Sequence, residues 1–244
     1  RKALQNVLNR EVFIQKIYNN HQMAVAGPFA AGSDYSSKTA ATSFAPKTAS
    51  KLLQEAGYDK IDKDGILYRQ KDGNKQRAEI TIMYATKAHD QWMTMFKADA
   101  KRVGINITPR FIVWSAGIKL VDEFNFEGFV IGWSGDPTPA PRQLWHGSTA
   151  SNKGSSNIPG LNDPAIDALI DAAPVSFDVE KRVKLFKKLE QKILAHQPYL
   201  FRWTQKNHYV AYWKQKVNPT EKPFFKYSGN NLRSIFFQHW HTAM

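Results

Sequence analysis

The chain has 244 residues, of which 42% are hydrophobic and 23% charged, as expected for a globular protein rather than a disordered or fibrous one. It contains no cysteine, which excludes disulfides, thiolate metal sites and cysteine catalysis, and no apolar run reaches the roughly 18 residues of a transmembrane helix. The net charge of +13 makes nucleic acid the first partner to consider, but the basic residues are spread along the chain instead of forming blocks.

The N-terminal part of the sequence predicts three helices and one long loop. Apolar residues at helical spacing indicate helices over residues 1–8 and 10–18, and Asn9 is suited to cap the second. Residues 27–45 are rich in Ala, Ser, Gly and Thr without any period, which predicts a long surface loop. A third helix is predicted over residues 46–56, because proline is favoured at the first helical position.

The middle of the sequence predicts alternating strands and helices. Strands over residues 79–84, 106–113 and 128–133 are separated by helices over 90–103 and 115–123. The first of these helices should bury one stripe, formed by Trp92, Met93, Phe96, Ala100 and Val103. The order strand–helix–strand–helix–strand requires crossover connections, so we expect an α/β fold with a sheet that is at least partly parallel.

The C-terminal part predicts two more helices followed by short strands. One helix begins at Asn162-Asp163-Pro164, with a capping residue before the proline and a buried face formed by Ile166, Leu169 and Ile170. A longer helix over residues 179–195 has an apolar stripe formed by Val183, Phe186, Leu189 and Ile193, and six Lys or Arg residues occupy its other faces. A solvated helix face explains these basic residues, although a basic balance also suits acidic surfaces or anionic lipid. Extended segments are predicted near residues 199–204, 208–213 and 232–237.

The segment Gly132-Trp133-Ser134-Gly135-Asp136-Pro137 is the most informative motif. It follows the apolar run 129–131, which predicts a loop at the C-terminal end of a buried strand, where open α/β sheets bind ligands. Trp133 offers an apolar surface and an indole N–H, and Asp136 in a half-dry cleft requires a positive partner. The pair suits an organic ammonium group such as a peptide N-terminus; the alternative is a core tryptophan and an aspartate that caps a turn.

Signatures of catalysis are not found in the sequence. There is no P-loop, G-x-G-x-x-G, G-x-S-x-G or H-E-x-x-H motif, so we expect neither catalytic residues, nor a metal site, nor a cofactor. Trp145 and His146 lie together in the polar loop 137–161 and are further candidate ligand contacts, although an ordinary exposed loop histidine is the alternative for His146. Tryptophans and tyrosines near predicted loops favour ligand binding over catalysis.

Five segments, taken in order, resemble the extracellular solute-binding proteins of peptide ABC transporters, family 5. They are Arg1-Lys2-Ala3-Leu4 with Asn9-Arg10-Glu11; Pro46 with Lys51-Leu52-Leu53 and Glu55-Ala56-Gly57-Tyr58; residues 129–136; residues 162–170; and residues 182–191 with Pro198-Tyr199-Leu200-Phe201. The stretch from Trp145-His146-Gly147-Ser148 to residue 170 is most similar to the YejA-like subgroup. The resemblance extends over essentially the whole chain, with Asn9 in place of the more usual Asp.

The resemblance implies an α/β lobe of the type II periplasmic-binding-protein fold, with a mixed sheet flanked by helices, over residues 1–205. Residues 206–244 would form a C-terminal tail that returns to complete another lobe, which is missing from this sequence. The chain also opens on Arg1 inside a helical pattern. We therefore expect the C-terminal half of a longer or processed protein.

The function implied by the resemblance is that of the substrate-binding component of an ABC importer. Such a protein captures peptides or peptide-like solutes in a cleft between lobes and delivers them to the membrane permease, without catalysis. In oligopeptide-binding relatives a W-x-x-D sequence holds the peptide ammonium by its Asp, and Trp133 and Asp136 match it. The resemblance further implies a periplasmic or extracellular, membrane-associated monomer that does not bind nucleic acid. The alternative from another class is a basic nucleic-acid- or surface-binding protein.

Overall fold

The computed structural model of the chain describes residues 1–30, 33–133, 138–206, 217–219 and 240–242. The helices are α1 (Lys2–Val7), α2 (Arg10–Lys16), α3 (Pro46–Glu55), α4 (Asp90–Arg102), α5 (Trp114–Asp122), α6 (Arg142–Trp145), α7 (Pro164–Ala172) and α8 (Val179–His196). The strands are β1 (Gln22–Ala24), β2 (Lys60–Ile61), β3 (Leu67–Lys71), β4 (Asn74–Arg77), β5 (Glu79–Tyr84), β6 (Asn106–Phe111), β7 (Gly128–Phe129), β8 (Trp203–Gln205), β9 (Val217–Pro219) and β10 (Trp240–Thr242).

A three-stranded parallel sheet in the order β6–β5–β7 organises the fold. The central strand β5 pairs along its whole length with β6 and through Ile82 and Met83 with β7. Helices α4 and α5 make the two crossovers that parallel strands require. The expected α/β architecture is therefore confirmed, but the described parallel and antiparallel strands lie in separate sheets instead of one mixed sheet.

The larger core lies between the parallel sheet and the helices α1–α4. The predicted stripe on α4 is confirmed, since Trp92, Met93, Phe96, Ala100 and Val103 are all buried. Phe13 of α2 is fully buried and meets Trp203 of β8 edge to face, with ring centroids 5.9 Å apart. The N-terminal helices and the segment around β8 therefore share one core with the sheet.

A second core joins α7 and α8 to the loops that precede them. Ile166 and Ile170 of α7 pack with Phe186, Leu189 and Ile193 of α8, and Phe29 and Trp145 join them. The apolar stripes predicted for these two helices are therefore largely confirmed, because the residues at their centres are buried.

The loop between β1 and α3 is anchored on the second core by a buried carboxylate. Glu190 of α8 is 2% exposed and accepts hydrogen bonds from the Ser37 backbone N–H and, at 3.2 Å, from the Ser36 hydroxyl. Gly27 allows this close approach, since a Cβ atom there would lie 2.7 Å from the carboxylate oxygen. A cavity of about 280 Å³ lies between this loop and α8, with Glu190 and Lys38 in its wall. The predicted loop is thus confirmed, and it is fixed to the fold.

The antiparallel sheet β2–β3–β4 was not predicted from the sequence. Its strands carry mainly charged and polar residues with no apolar alternation, so period-two patterning gave no signal. The sheet is attached to the core at Leu67, whose N–H donates to Gly104 O at 2.8 Å. Gly104 has a φ of +81°, and a Cβ there would lie 2.6 Å from Leu67 Cγ, so only glycine fits without rearrangement.

Three predicted strands have different bounds in the structure. The strand expected over 106–113 ends at Phe111, and the one expected near 199–204 is Trp203–Gln205. The strand expected over 128–133 ends at Phe129, although the Val130 N–H still donates to Met83 O at 2.8 Å. Residues 129–131 are half-buried and not fully buried, because β7 lies at the sheet edge and has one neighbour. The segments 208–213 and 232–237 lie outside the described residues.

Arg10 connects the N-terminal helices to two distant segments. It is 4% exposed, and its guanidinium donates to Phe201 O at 2.7 Å and Thr42 O at 2.8 Å. It also donates to the backbone carbonyls of Gln5 and Leu8 and to the Gln5 side chain. Burial lowers the pKa of Arg10 to about 10, so it remains charged at neutral pH, and its charge is compensated by neutral oxygen dipoles.

Replacing Arg10 by lysine should destabilise the fold by about 2–4 kcal/mol, because an ammonium group cannot reach all the carbonyls that the guanidinium satisfies. The measurement is urea denaturation followed by circular dichroism. Arg102→Lys is the matched control, because that side chain is 75% exposed and pairs with Asp99 on the surface of α4. Equal denaturation midpoints for the two variants would contradict the connecting role of Arg10.

Candidate functional site

The C-terminal ends of the three parallel strands meet at one edge of the sheet, and large apolar side chains follow them. Phe111 and Val113 at the end of β6 are 46% and 66% exposed, Trp114 is 53% exposed and Trp133 after β7 is 45% exposed. We call these four residues the strand-end surface. Exposed apolar side chains concentrated at such an edge are typical of a ligand or partner site, because this is where open α/β sheets bind ligands.

Trp133 is held at the strand-end surface by a hydrogen bond to a partly buried tyrosine. Its Nε1–H donates to the Tyr199 hydroxyl at 3.3 Å, and the Tyr199 ring packs edge to face on Trp145 with centroids 5.5 Å apart. Burial raises the pKa of Tyr199 to about 12, so the hydroxyl stays neutral across the physiological range. The indole of Trp133 is therefore oriented from behind while almost half of its surface remains open.

Trp145 and His146, the other predicted ligand contacts, both interact with neighbouring parts of the fold. Trp145 is 2% exposed and belongs to the second core, because the loop 137–161 contains the short helix α6 that directs it inward. His146 Nδ1 accepts a hydrogen bond from the Ser148 N–H at 3.1 Å, and its Nε2 lies 3.5 Å from Asp171 Oδ1. Trp145 is connected to Trp133 through Tyr199. Direct contact of Trp145 or His146 with a ligand stays a prediction.

Asp136, the predicted partner of an ammonium group, lies outside the described residues. Trp133 is the last described residue before it and residue 138 the first after it. Its part in the site therefore stays a prediction from the W-x-x-D spacing.

A chain of ring contacts extends the strand-end surface past the end of β5. Phe111 meets Tyr84 with centroids 5.8 Å apart, Tyr84 meets His89 at 6.5 Å, and His89 meets Trp92 at 5.7 Å. Lys87 Nζ lies 5.5 Å from the Phe111 ring centroid. His89 was not predicted from the sequence as a residue of this edge. Its position shortly after β5, comparable to that of Trp133 after β7, could have indicated it.

Within the described residues, no group of three or more His, Cys, Asp or Glu side chains is arranged to hold a metal ion. None of the helices in that part of the chain has the length and apolar character needed to cross a membrane.

Comparison with known proteins identifies the family. The profile of the bacterial extracellular solute-binding proteins, family 5 middle, matches residues 1–155. The chain is 29% identical over 164 residues to the oligopeptide-binding protein AppA of Bacillus subtilis, covering 66% of this chain and 30% of AppA. It is 23% identical over 179 residues to the probable peptide-binding protein YejA of Agrobacterium fabrum, covering 72% of this chain and 28% of YejA.

The structure of Bacillus subtilis AppA in complex with a nonapeptide has the same fold, with a TM-score of 0.76 at 22% identity over all of this chain and 47% of AppA. The chain therefore belongs to the bacterial extracellular solute-binding proteins of family 5. It spans about 30% of the length of the curated relatives described above. The expected family is confirmed, and its members are solute-binding proteins rather than enzymes. Because the relatives bind solutes, the alternative of a nucleic-acid-binding protein is not favoured.

The two tryptophans of the site should respond differently to truncation. Trp145→Ala should cost about 3–5 kcal/mol of folding free energy, because it leaves a large cavity in the second core. Trp133→Ala should cost about 1 kcal/mol or less, because its side chain is half exposed and makes one hydrogen bond to Tyr199. Urea denaturation measures both values. A larger loss of folding free energy for Trp133→Ala than for Trp145→Ala would contradict the placement of Trp145 in the core and Trp133 at the surface.

Proposed function

We propose that this protein captures peptides or peptide-like solutes and delivers them to the permease of an ABC importer. The observation that carries the proposal is Trp133, which is presented half-exposed at the carboxyl edge of the parallel sheet, three residues before Asp136. Membership of family 5 and the peptide-binding names of AppA and YejA support it.

In this proposal the W-x-x-D segment binds the N-terminal ammonium of the solute. Asp136 supplies the negative charge, and the indole of Trp133 covers the adjoining backbone, which limits the access of water and strengthens the ion pair. The remaining peptide backbone is held by main-chain groups, as in strand addition, and this accommodates many sequences. Trp145 supports this arrangement from behind through Tyr199.

A second lobe is proposed to supply the other wall of the cleft. The described part of residues 1–205 contains both hydrophobic cores and the strand-end surface, which supports its being one lobe; we propose that residues 206–244 belong to the other. With one wall, roughly half of a micromolar binding energy of about 8 kcal/mol remains, so this chain should bind peptide in the millimolar range. Micromolar affinity of the 244-residue chain would overturn the two-wall proposal.

The partners and location follow from the same proposal. Family members are extracellular solute-binding proteins. We propose that the protein acts as a monomer outside the cytoplasmic membrane, in the periplasm or at the cell surface, where the permease subunits of the importer receive its cargo. Nucleic acid is not among its proposed partners.

The test of the proposed function is a peptide titration of the proposed two-lobed, full-length protein, followed by calorimetry. Asp136→Asn should weaken peptide binding about 30-fold, because removing one partner of a desolvated ion pair costs about 2 kcal/mol or more. Trp133→Ala should weaken it roughly tenfold through the lost apolar contact. Phe177→Ala is the matched control, since Phe177 is 98% exposed in the loop before α8 and should leave the affinity unchanged.

The same experiment includes a change in the ligand. Acetylating the peptide N-terminus removes its positive charge and should weaken binding about as much as Asp136→Asn does. If neither change affects the affinity, Asp136 is not the ammonium site, and if the unaltered protein binds none of a varied peptide mixture, the proposed function is wrong.

A further inference from the structure

The connection between α7 and α8 exposes three apolar side chains that lie close together in sequence. Val175 is 70% exposed, Phe177 98% and Val179 57%, and we call these three residues the apolar tip. Among the described residues, no other large hydrophobic side chain is as exposed as Phe177. Single exposed apolar residues are ordinary on a protein surface, but a group of them indicates an interaction site.

Hydrogen bonds hold the apolar tip in this exposed arrangement. Ser176, in the middle of the tip, donates from its backbone N–H to Ala173 O at 3.4 Å and from its hydroxyl to Asp178 O at 3.3 Å. The Ser176 carbonyl accepts a hydrogen bond from Arg182 Nη1 at 3.3 Å. Because Ser176 is bound to the fold, the exposure of its two chain neighbours is set by the conformation of the loop.

A row of lysines runs along α8 and begins four residues after Phe177. Lysines are exposed at intervals of three and four residues, which places them on one face of the helix. We call this set the lysine row: Lys181, Lys184, Lys188 and Lys192. The buried residues of α8 lie on the side of the helix that packs against α7, so the lysine row faces away from the second core.

The charges of the lysine row are largely uncompensated. Within the described part of the chain, Lys181, Lys184 and Lys188 form no ion pair with a carboxylate, whereas Lys192 interacts electrostatically with Asp163. Like charges three and four residues apart on a helix destabilise it. A row of this kind therefore indicates an anionic partner outside the chain.

The acidic residues of this region have other partners. Asp178 caps α8 by accepting a hydrogen bond from the Lys181 N–H at 3.1 Å, and Glu180 lies in the first turn, where the helix dipole favours a negative charge. Glu190 is buried and accepts from the Ser37 N–H. The outward face of α8 is therefore strongly positive.

The apolar tip and the lysine row together fit an anionic membrane surface better than a protein partner. Lysine is depleted at protein–protein interfaces, where arginine and aromatic residues are preferred, and Arg182, the arginine of α8, is engaged with the loop. The compact ammonium groups of lysines suit phosphate headgroups, and exposed apolar side chains beside them can enter the boundary between headgroups and acyl chains.

We propose that the apolar tip and the lysine row bind the protein reversibly to a bilayer that contains anionic phospholipids. Phe177 and the two valines enter the headgroup boundary, and the lysines contact the lipid phosphates. This contact goes beyond the proposed function, because it is independent of the cargo. It would concentrate the protein at the membrane that holds the permease.

The test is co-sedimentation of the proposed two-lobed, full-length protein with vesicles. Vesicles of phosphatidylglycerol and phosphatidylcholine in equal amounts should bind the protein, and vesicles of phosphatidylcholine alone should bind it far more weakly. The combined change Lys181→Gln, Lys184→Gln and Lys188→Gln should weaken binding to the anionic vesicles roughly tenfold or more, since each lysine near an anionic surface contributes about fivefold.

Matched variants separate the proposed surface from general charge and apolarity. Lys60→Gln, Lys63→Gln and Lys71→Gln remove an equal charge around β2 and β3 and should change binding less than about twofold, because distant charges are screened by salt. Phe177→Ser should weaken binding roughly tenfold through the lost apolar contact. Ile61→Ser is its control, since Ile61 is 68% exposed on β2 and should leave binding unchanged.

A fluorescent probe reads the insertion of Phe177 directly. The 244-residue chain contains no cysteine, so Phe177→Cys can be labelled at a single site with a polarity-sensitive dye. The emission of the dye should move to shorter wavelength with the anionic vesicles and stay unchanged with phosphatidylcholine. Ile61→Cys, labelled in the same way, should show no change with either.

The proposal is overturned if the full-length protein does not bind the anionic vesicles, or if the lysine variant binds them as well as the unaltered protein. Binding that requires the lysines but not Phe177 would be adsorption to any polyanion and would overturn it too. Binding to phosphatidylcholine vesicles only when they carry the permease would assign the surface to a protein partner instead. Peptide affinity is measured without vesicles, so either proposal can fail while the other stands.

Discussion

The buried guanidinium of Arg10 is the interaction on which the rest of the structure depends. It bonds to carbonyls of α1, of the loop before α3 and of the segment before β8, so three stretches far apart in sequence meet at one side chain. Gln5 adds a hydrogen bond to Tyr199 O at 2.8 Å. The segment fixed in this way carries Tyr199, which orients Trp133. The candidate site is therefore positioned by the same buried contact.

The sequence predicted those features that depend on local periodicity. The stripe of α4, the strand β5 and the caps of α2 and α7 follow from apolar spacing and from Asn9 and Asp163, whose side chains do accept the predicted hydrogen bonds. The polar sheet β2–β4 and the burial of Trp145 were missed, since they depend on contacts distant in sequence. The W-x-x-D motif placed Trp133 correctly at a strand end, but its hydrogen bond to Tyr199 joins residues 66 positions apart and could not be predicted from local spacing.

The central claim is that a peptide lies along the carboxyl edge of the parallel sheet with its ammonium group at the W-x-x-D segment. Isotope-filtered NOE spectroscopy of the labelled chain with an unlabelled peptide tests it most directly. The account predicts contacts from the first peptide residue to the ring protons of Trp133. Contacts confined to other surfaces, such as Phe177, or a reversed peptide direction would contradict it.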